Sequence, residues 1–123
     1  MAGASKVVLI VEDDPDIREV LEEMLDAGGH QVLTASNGRE ALTVLARVTL
    51  PCLLLLDLMM PVMSGFAFLE ELHQRPDKDR VSVLLISANA QVEHTAQGTG
   101  VVGFVRKPFD LDDVLALVDT HAR

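Results

Sequence analysis

Val7-Val8-Leu9-Ile10-Val11-Glu12-Asp13-Asp14-Pro15 is the stretch that decides the fold. Its first five residues are apolar and mostly β-branched, a run short enough for a strand buried on both faces. The run ends abruptly in acid. Asp14 is placed to cap a helix whose first position is Pro15, where a missing N–H leaves no bond unmade. Ile17, Val20, Leu21, Met24 and Leu25 then recur at helical spacing until Gly28-Gly29 stops the helix. The unit is a strand followed at once by an amphipathic helix.

The same unit recurs four more times along the chain. Gln31 to Ala35 reads as a short second strand, and Asn37-Gly38 opens a helix with Ala41, Leu42, Leu45 and Ala46 inward. Cys52 to Leu56 forms the third strand. A loop with Pro61 and Gly65 leads to a helix that turns Phe66, Leu69 and Leu72 inward and closes by Pro76. Val81 to Ile86 is the fourth strand, Ala88 to Gly100 a helix of weak propensity, and Val101 to Val105 the fifth strand. Asp110 caps a last helix with Leu111, Val114, Leu115 and Val118 on one face. Five strands alternating with five helices predict an α/β fold, a flavodoxin-like doubly wound (βα)5 parallel sheet with right-handed crossovers. In the strand order 2-1-3-4-5, sites lie at the carboxyl ends of the strands, beside the reversal between strands one and three.

Bulk properties narrow the function classes. The 123 residues, 49% of them hydrophobic, predict one domain spanning 1–123 with its core at about 6–120. No apolar stretch approaches the roughly 20 residues a bilayer requires, and Met1 to Lys6 lacks a secretory apolar region, so the expectation is a cytoplasmic protein without membrane insertion. The net charge of −9, with only three lysines and no basic cluster, argues against direct nucleic-acid binding. Cys52, the one cysteine, reads as a small buried hydrophobe. His30, His73, His94 and His121 are too scattered for a metal set and suit surface or packing roles.

The strand ends carry the chemistry. Glu12, Asp13 and Asp14 follow strand one, and Asp57 follows strand three. Carboxylates gathered there repel one another unless a cation joins them, and an all-oxygen donor set suits Mg²⁺. Taken alone, Glu12 to Asp16 is also what an acidic helix N-terminus looks like. Strand four, however, runs into Ser87-Ala88, and strand five is followed by Arg106-Lys107-Pro108-Phe109. Acid, hydroxyl and ammonium on one rim are the set that phosphoryl transfer to a carboxylate requires. Alone, Lys107 would read equally as a surface lysine.

With these residues in view, the chain resembles the receiver domains of bacterial two-component response regulators, including the chemotaxis-regulator type. The resemblance rests on Val11-Glu12-Asp13-Asp14-Pro15, Leu56-Asp57-Leu58-Met59-Met60-Pro61-Val62-Met63-Ser64-Gly65, Ser87-Ala88 and Lys107-Pro108-Phe109. It implies that Asp57 accepts a phosphoryl group from a histidine kinase or phosphotransfer protein. It implies Mg²⁺, with Mn²⁺ as a substitute, bound directly by Asp13, with Asp57 and the Met59 backbone carbonyl also in the set and Glu12 reaching the metal directly or through water. Ser87 becomes the switch hydroxyl, Lys107 the partner of the phosphoryl oxygens, and Phe104 the aromatic whose rotamer reports the switch. The Lys107-Pro108 bond is expected to be cis, an ordinary trans helix start being the alternative. The chain would not be a conventional enzyme, though it would assist its own phosphorylation and slow autodephosphorylation. It would act on a downstream protein or a fused output domain through the face of strands four and five.

Some positions depart from the family's pattern. The stretch between Ser87 and Lys107 is shorter than usual and Ala96 to Gly100 makes a poor helix end. Phe104 replaces a commoner tyrosine. Met59 and Asn89 flank the expected path of hydrolytic water, and Met59 hydrogen-bonds water poorly, so a long-lived phosphorylated state is expected. No output domain follows Val118 to Arg123, which suits either a chain that acts by docking or a receiver cut from a longer protein. Three other functions compete. A Mg²⁺-dependent phosphohydrolase of the haloacid-dehalogenase type wants a carboxylate where Met59 stands. A receiver-like interaction module acting without phosphorylation would leave the filled chemical positions without use. Flavodoxin-like mononucleotide binding is opposed by the acid after strand one.

Overall fold

The computed structural model describes residues 7–60, 62–88 and 100–121. Its elements are β1 (Val7–Val11), α1 (Pro15–Ala27), β2 (Gln31–Ala35), α2 (Gly38–Leu45), β3 (Cys52–Asp57), α3 (Gly65–His73), a 3-10 turn (Lys78–Arg80), β4 (Val81–Ser87), β5 (Val101–Arg106) and α4 (Leu111–His121). The helix expected between Ala88 and Gly100 lies, apart from those two end residues, outside the described residues, as do Pro61, Asn89 and His94. All strand pairs are parallel, in the order β2-β1-β3-β4-β5, which is the doubly wound order expected.

Alternation along the central strands builds two cores. Leu9 and Val11 of β1, Leu54 and Leu56 of β3, and Val83 and Leu85 of β4 face one side, under Ala41 and Leu45 of α2 and Phe68, Leu69 and Leu72 of α3. Val8, Ile10, Leu53, Leu55, Leu84 and Ile86 face the other, under Leu21 and Leu25 of α1 and Val114 and Val118 of α4. Each fully buried leucine contributes about 1.5–3 kcal/mol, so both faces of the sheet carry comparable driving force. That accounts for the uninterrupted apolar runs Leu53 to Leu56 of β3 and Val83 to Ile86 of β4.

The caps follow the chemistry of the sequence. Asp14 Oδ1 accepts the Asp16 and Ile17 N–H groups ahead of Pro15, and Asn37 Oδ1 accepts from Glu40 N. Ser64, not singled out in the sequence, caps α3 through Ala67 N. Asp110 Oδ1 accepts from Asp112 N at the start of α4. Gly29, at φ +92, turns the chain out of α1.

Several details differ from the periodic reading. The buried aromatic of α3 is Phe68, while Phe66 is only half-buried. The helix begins at Gly65, and the face 65, 68, 69, 72 lies on the sheet. Val20 and Leu111, assigned to inward faces, are 44% and 37% exposed, and Ala46 is the exposed C-cap of α2. In β5, pairing shifts between Val83/Val101 and Leu84/Gly103, so Val102 bulges outward. As a result Val101 and Phe104, three apart, pack on the same core. Cys52 is buried, and that burial pushes its thiol up to about 12, consistent with a packing role. His30 is buried too, with Nε2 2.8 Å from Asp119 Oδ1 of α4.

Candidate functional site

Parallel pairing places the strand ends at one rim. Val11 pairs with Leu56, so Glu12 and Asp13 emerge beside Asp57. The ladders run one residue further than the sequence suggested: Asp57 and Ser87 close β3 and β4, Asp57 opposite Ile86 and Ser87 opposite Arg106. Leu58 N–H donates to Ile86 O and Lys107 N–H to Ser87 O, at 3.1 and 2.9 Å. These bonds fix the backbone on either side of each side chain of interest.

Glu12 is fully buried, Asp57 and Ser87 are each 3% exposed, and Asp13 faces solvent. One carboxylate oxygen from each of Glu12, Asp13 and Asp57 lies within 4.8 Å of the others. Lys107 reaches across β4 to join them, its Nζ 2.9 Å from Glu12 Oε1 and 3.3 Å from Asp57 Oδ2. The Lys107–Pro108 peptide is cis, as is Leu50–Pro51, which nothing in the sequence had singled out. Asp57 Oδ1 accepts the Met59 N–H at 3.0 Å, and Glu12 Oε2 accepts the Asp14 N–H at 3.1 Å. The described geometry thus brings Glu12, Asp13, Asp57, Ser87 and Lys107 to one rim. Met59 joins through its amide, with its side chain 63% exposed. Phe104 is set back along β5, half-buried opposite Leu85 and against the α2–α3 core.

Electrostatics follow from this crowding. Burial, reinforced by the neighbouring Glu12, pushes the Asp57 carboxyl up to about 7; the Met59 N–H and the Lys107 charge pull the other way. For Lys107, burial works to lower the ammonium, but the Glu12 and Asp57 carboxylates hold it above the usual lysine range. The donor set fits a hard divalent cation. Three carboxylates face one ammonium, and Glu12 Oε1 is a buried oxygen that receives no aligned hydrogen bond despite its ion pair.

Two contributors were not legible in the sequence. Arg18 of α1 turns back to donate Nη1–H to the Glu12 carbonyl at 2.8 Å. Gly65 packs on the loop after Asp57, where a Cβ would stand 2.6 Å from Leu58 Cα and 2.9 Å from Asp57 O. The glycine was noticed only as a loop residue; the close backbone approach was the signal it carried.

Comparison with known proteins places this geometry in context. The sequence profile described as response regulator receiver domain matches residues 8–119. The DNA-binding transcriptional regulator NtrC of Salmonella typhimurium is 37% identical over 113 residues, covering 92% of this chain and 24% of the relative. The chain therefore spans about a quarter of that relative's length. Among solved structures, chemotaxis protein CheY4 of Vibrio cholerae superposes with a TM-score of 0.86 at 27% identity, covering 95% of this chain and 98% of that one. Response regulator protein TrrA of Thermotoga maritima, solved in complex with Mg²⁺-BeF, gives 0.81 at 31% identity, with coverages of 94% and 97%.

Proposed function

The chain belongs to the response regulator receiver domain family, and from that premise we propose that it is a phosphorylation-dependent switch with Asp57 as the acceptor. The observation that carries the reading is the placement of Asp57. It is a buried carboxylate at the central strand end, within the reach of Lys107 and of the Glu12 and Asp13 oxygens.

In this reading the ionised Asp57 carboxylate attacks the phosphorus of a phosphohistidine borne by a histidine kinase or phosphotransfer protein. An O–P bond forms at Asp57 as the P–N bond breaks, and the departing imidazole takes up a proton. Lys107 already stands against Asp57 Oδ2 and would pair with the phosphoryl oxygens. Mg²⁺, or Mn²⁺ in its place, held by Glu12, Asp13, Asp57 and the Met59 carbonyl, would neutralise charge on the transferring group. The Ser87 hydroxyl closes the strand-four end of the rim and would donate to a phosphoryl oxygen.

The readout lies two strands away, on β5. A doubly charged group at Asp57 draws Ser87 and Lys107 toward it, and β5 follows through the Lys107 N–H to Ser87 O bond. Phe104, half-buried on β5 against the α2–α3 core, would be the side chain that repacks as that face changes. The changed face would then control a downstream protein or a fused output domain. A coupling of roughly 1–3 kcal/mol suffices to alter partner affinity several-fold or more. The apolar Met59 side chain at the mouth orders attacking water poorly, so the phosphorylated state would be long-lived.

The test is incubation with acetyl phosphate and Mg²⁺, followed by intact mass at intervals. A gain of one phosphoryl group that requires Mg²⁺ and decays slowly supports the reading. No gain contradicts it, and loss within seconds contradicts the long lifetime.

A further inference from the structure

Arg18 stands at the fourth position of α1, inside the first helical turn, where the helix dipole disfavours a cation. Its side chain is half-buried and directed back over the turn that joins β1 to α1. There Nη1–H donates to the Glu12 carbonyl at 2.8 Å. A residue placed against the local electrostatic preference marks a compensating role nearby.

The role follows from which peptide the guanidinium holds. The Glu12 carbonyl and the Asp13 N–H belong to one rigid plane, so fixing the carbonyl fixes the direction in which Asp13 leaves the chain. The sheet pins the preceding peptide, since Glu12 N–H donates to Ala35 O at 3.1 Å. Asp14 is pinned as well, its N–H on Glu12 Oε2 and its carbonyl accepting from Arg18 N at 3.0 Å. Among the described residues no hydrogen bond holds the Asp13 carboxylate itself. Its approach to the Glu12 and Asp57 oxygens, within 4.8 Å, therefore depends on where the backbone places its Cα–Cβ bond and on its own rotamer, with no other group holding it.

We infer that Arg18 is a positioning residue for the cation site: by bracing the Glu12–Asp13 peptide it aims the Asp13 carboxylate at the Glu12 and Asp57 oxygens. The inference rests on the reading of these carboxylates as a Mg²⁺ site. It differs in sign from the simplest electrostatic expectation. Were Arg18 merely a nearby positive charge, its removal would tighten divalent cation binding; as a brace, its removal loosens it.

The experiment is calorimetric titration of the whole chain with MgCl₂ at neutral pH, for wild type, Arg18→Met and Arg18→Lys, with thermal unfolding in parallel. Arg18→Met keeps most of the stem and loses donor and charge; it is expected to bind Mg²⁺ about tenfold more weakly, the size of effect usual for groups that orient metal ligands. Arg18→Lys, which retains a donor without the guanidinium's fork, is expected between the two. Equal or tighter Mg²⁺ binding by a folded Arg18→Met overturns the inference. If Arg18→Met does not fold, Arg18→Lys decides: weaker binding supports the inference and unchanged binding overturns it. Wild-type protein that takes up no Mg²⁺ removes the reading of the site itself, and the inference with it.

Discussion

Lys107 Nζ lies 3.3 Å from Asp57 Oδ2, although β4 separates the strands that carry the two residues. The same ammonium is 2.9 Å from Glu12 Oε1, so one cation serves two buried carboxylates. Lys107→Met should separate its two effects. Removing a competing charge tightens Mg²⁺ binding, while removing a donor to the transferring group slows phosphorylation by acetyl phosphate by about 10²-fold. Calorimetry and initial rates measure both, and an unchanged rate would show that Lys107 takes no part in the transfer.

Asp57 makes Mg²⁺-free stability depend on pH. Its folded carboxyl is pushed up to about 7 from an ordinary 3.8, chiefly by burial. The folded state thus keeps a proton that the unfolded chain releases, and this contribution is full below pH 3.8 and is lost as pH rises to about 7. Melting temperature without metal should fall over that window on account of Asp57, and Asp57→Asn should flatten the fall. With Mg²⁺ limiting, the phosphorylation rate should rise with pH through about 7 as the nucleophile ionises. A wild-type melting profile that matches Asp57→Asn across the window would exclude this titration.

Gly65 sets how closely α3 can approach the end of the strand that carries Asp57. Its N–H donates to Leu58 O at 3.0 Å, and an added Cβ would meet backbone atoms of Asp57 and Leu58, which cannot rotate aside. Gly65→Ala is expected to cost about 1–3 kcal/mol in urea unfolding, as overpacking does, and to slow phosphorylation because the loop after Asp57 must shift. Wild-type stability and rate in this variant would mean the loop yields freely.

Val62, 75% exposed on the same loop, adopts φ +69, a left-handed conformation that a β-branched side chain resists. Such strain is of order 1–3 kcal/mol, partly offset in a glycine by the entropy it loses on folding. Val62→Gly should therefore raise the unfolding free energy by about 1 kcal/mol, while Val62→Ile should leave it near wild type. A destabilised Val62→Gly would show that the conformation is not strained.

Much of this was legible because sheet and helix periods leave marks in the sequence. Runs such as Leu53 to Leu56, short and apolar throughout, suit central strands of a covered sheet, and Asp14-Pro15 and Asn37-Gly38 announce helix starts. Once the strand order is known, Asp57 falls between Glu12 and Lys107 without further information. What escaped depends on geometry that spacing does not encode. The bulge at Val102 leaves Val101 to Val105 looking like an uninterrupted strand, yet it sets the face of Phe104. Phe66 and Phe68 are both plausible inward residues until the helix start at Gly65 is known. Arg18 reaches back to a backbone carbonyl, a contact that no residue type at position 12 would signal. The partner surface is less legible still, since affinity for a particular kinase depends on complementary groups the chain does not contain.

The central claim is that Asp57, among the clustered carboxylates, is the one that takes the phosphoryl group. Phosphorylation with acetyl phosphate and Mg²⁺, reduction with borohydride and peptide mass spectrometry test it directly, because the acyl phosphate of an aspartate is reduced to homoserine. Homoserine at position 57, absent from Asp57→Asn, is the predicted result. Homoserine at Asp13, a reduced Glu12, or a phosphoryl group that Asp57→Asn still accepts would contradict it.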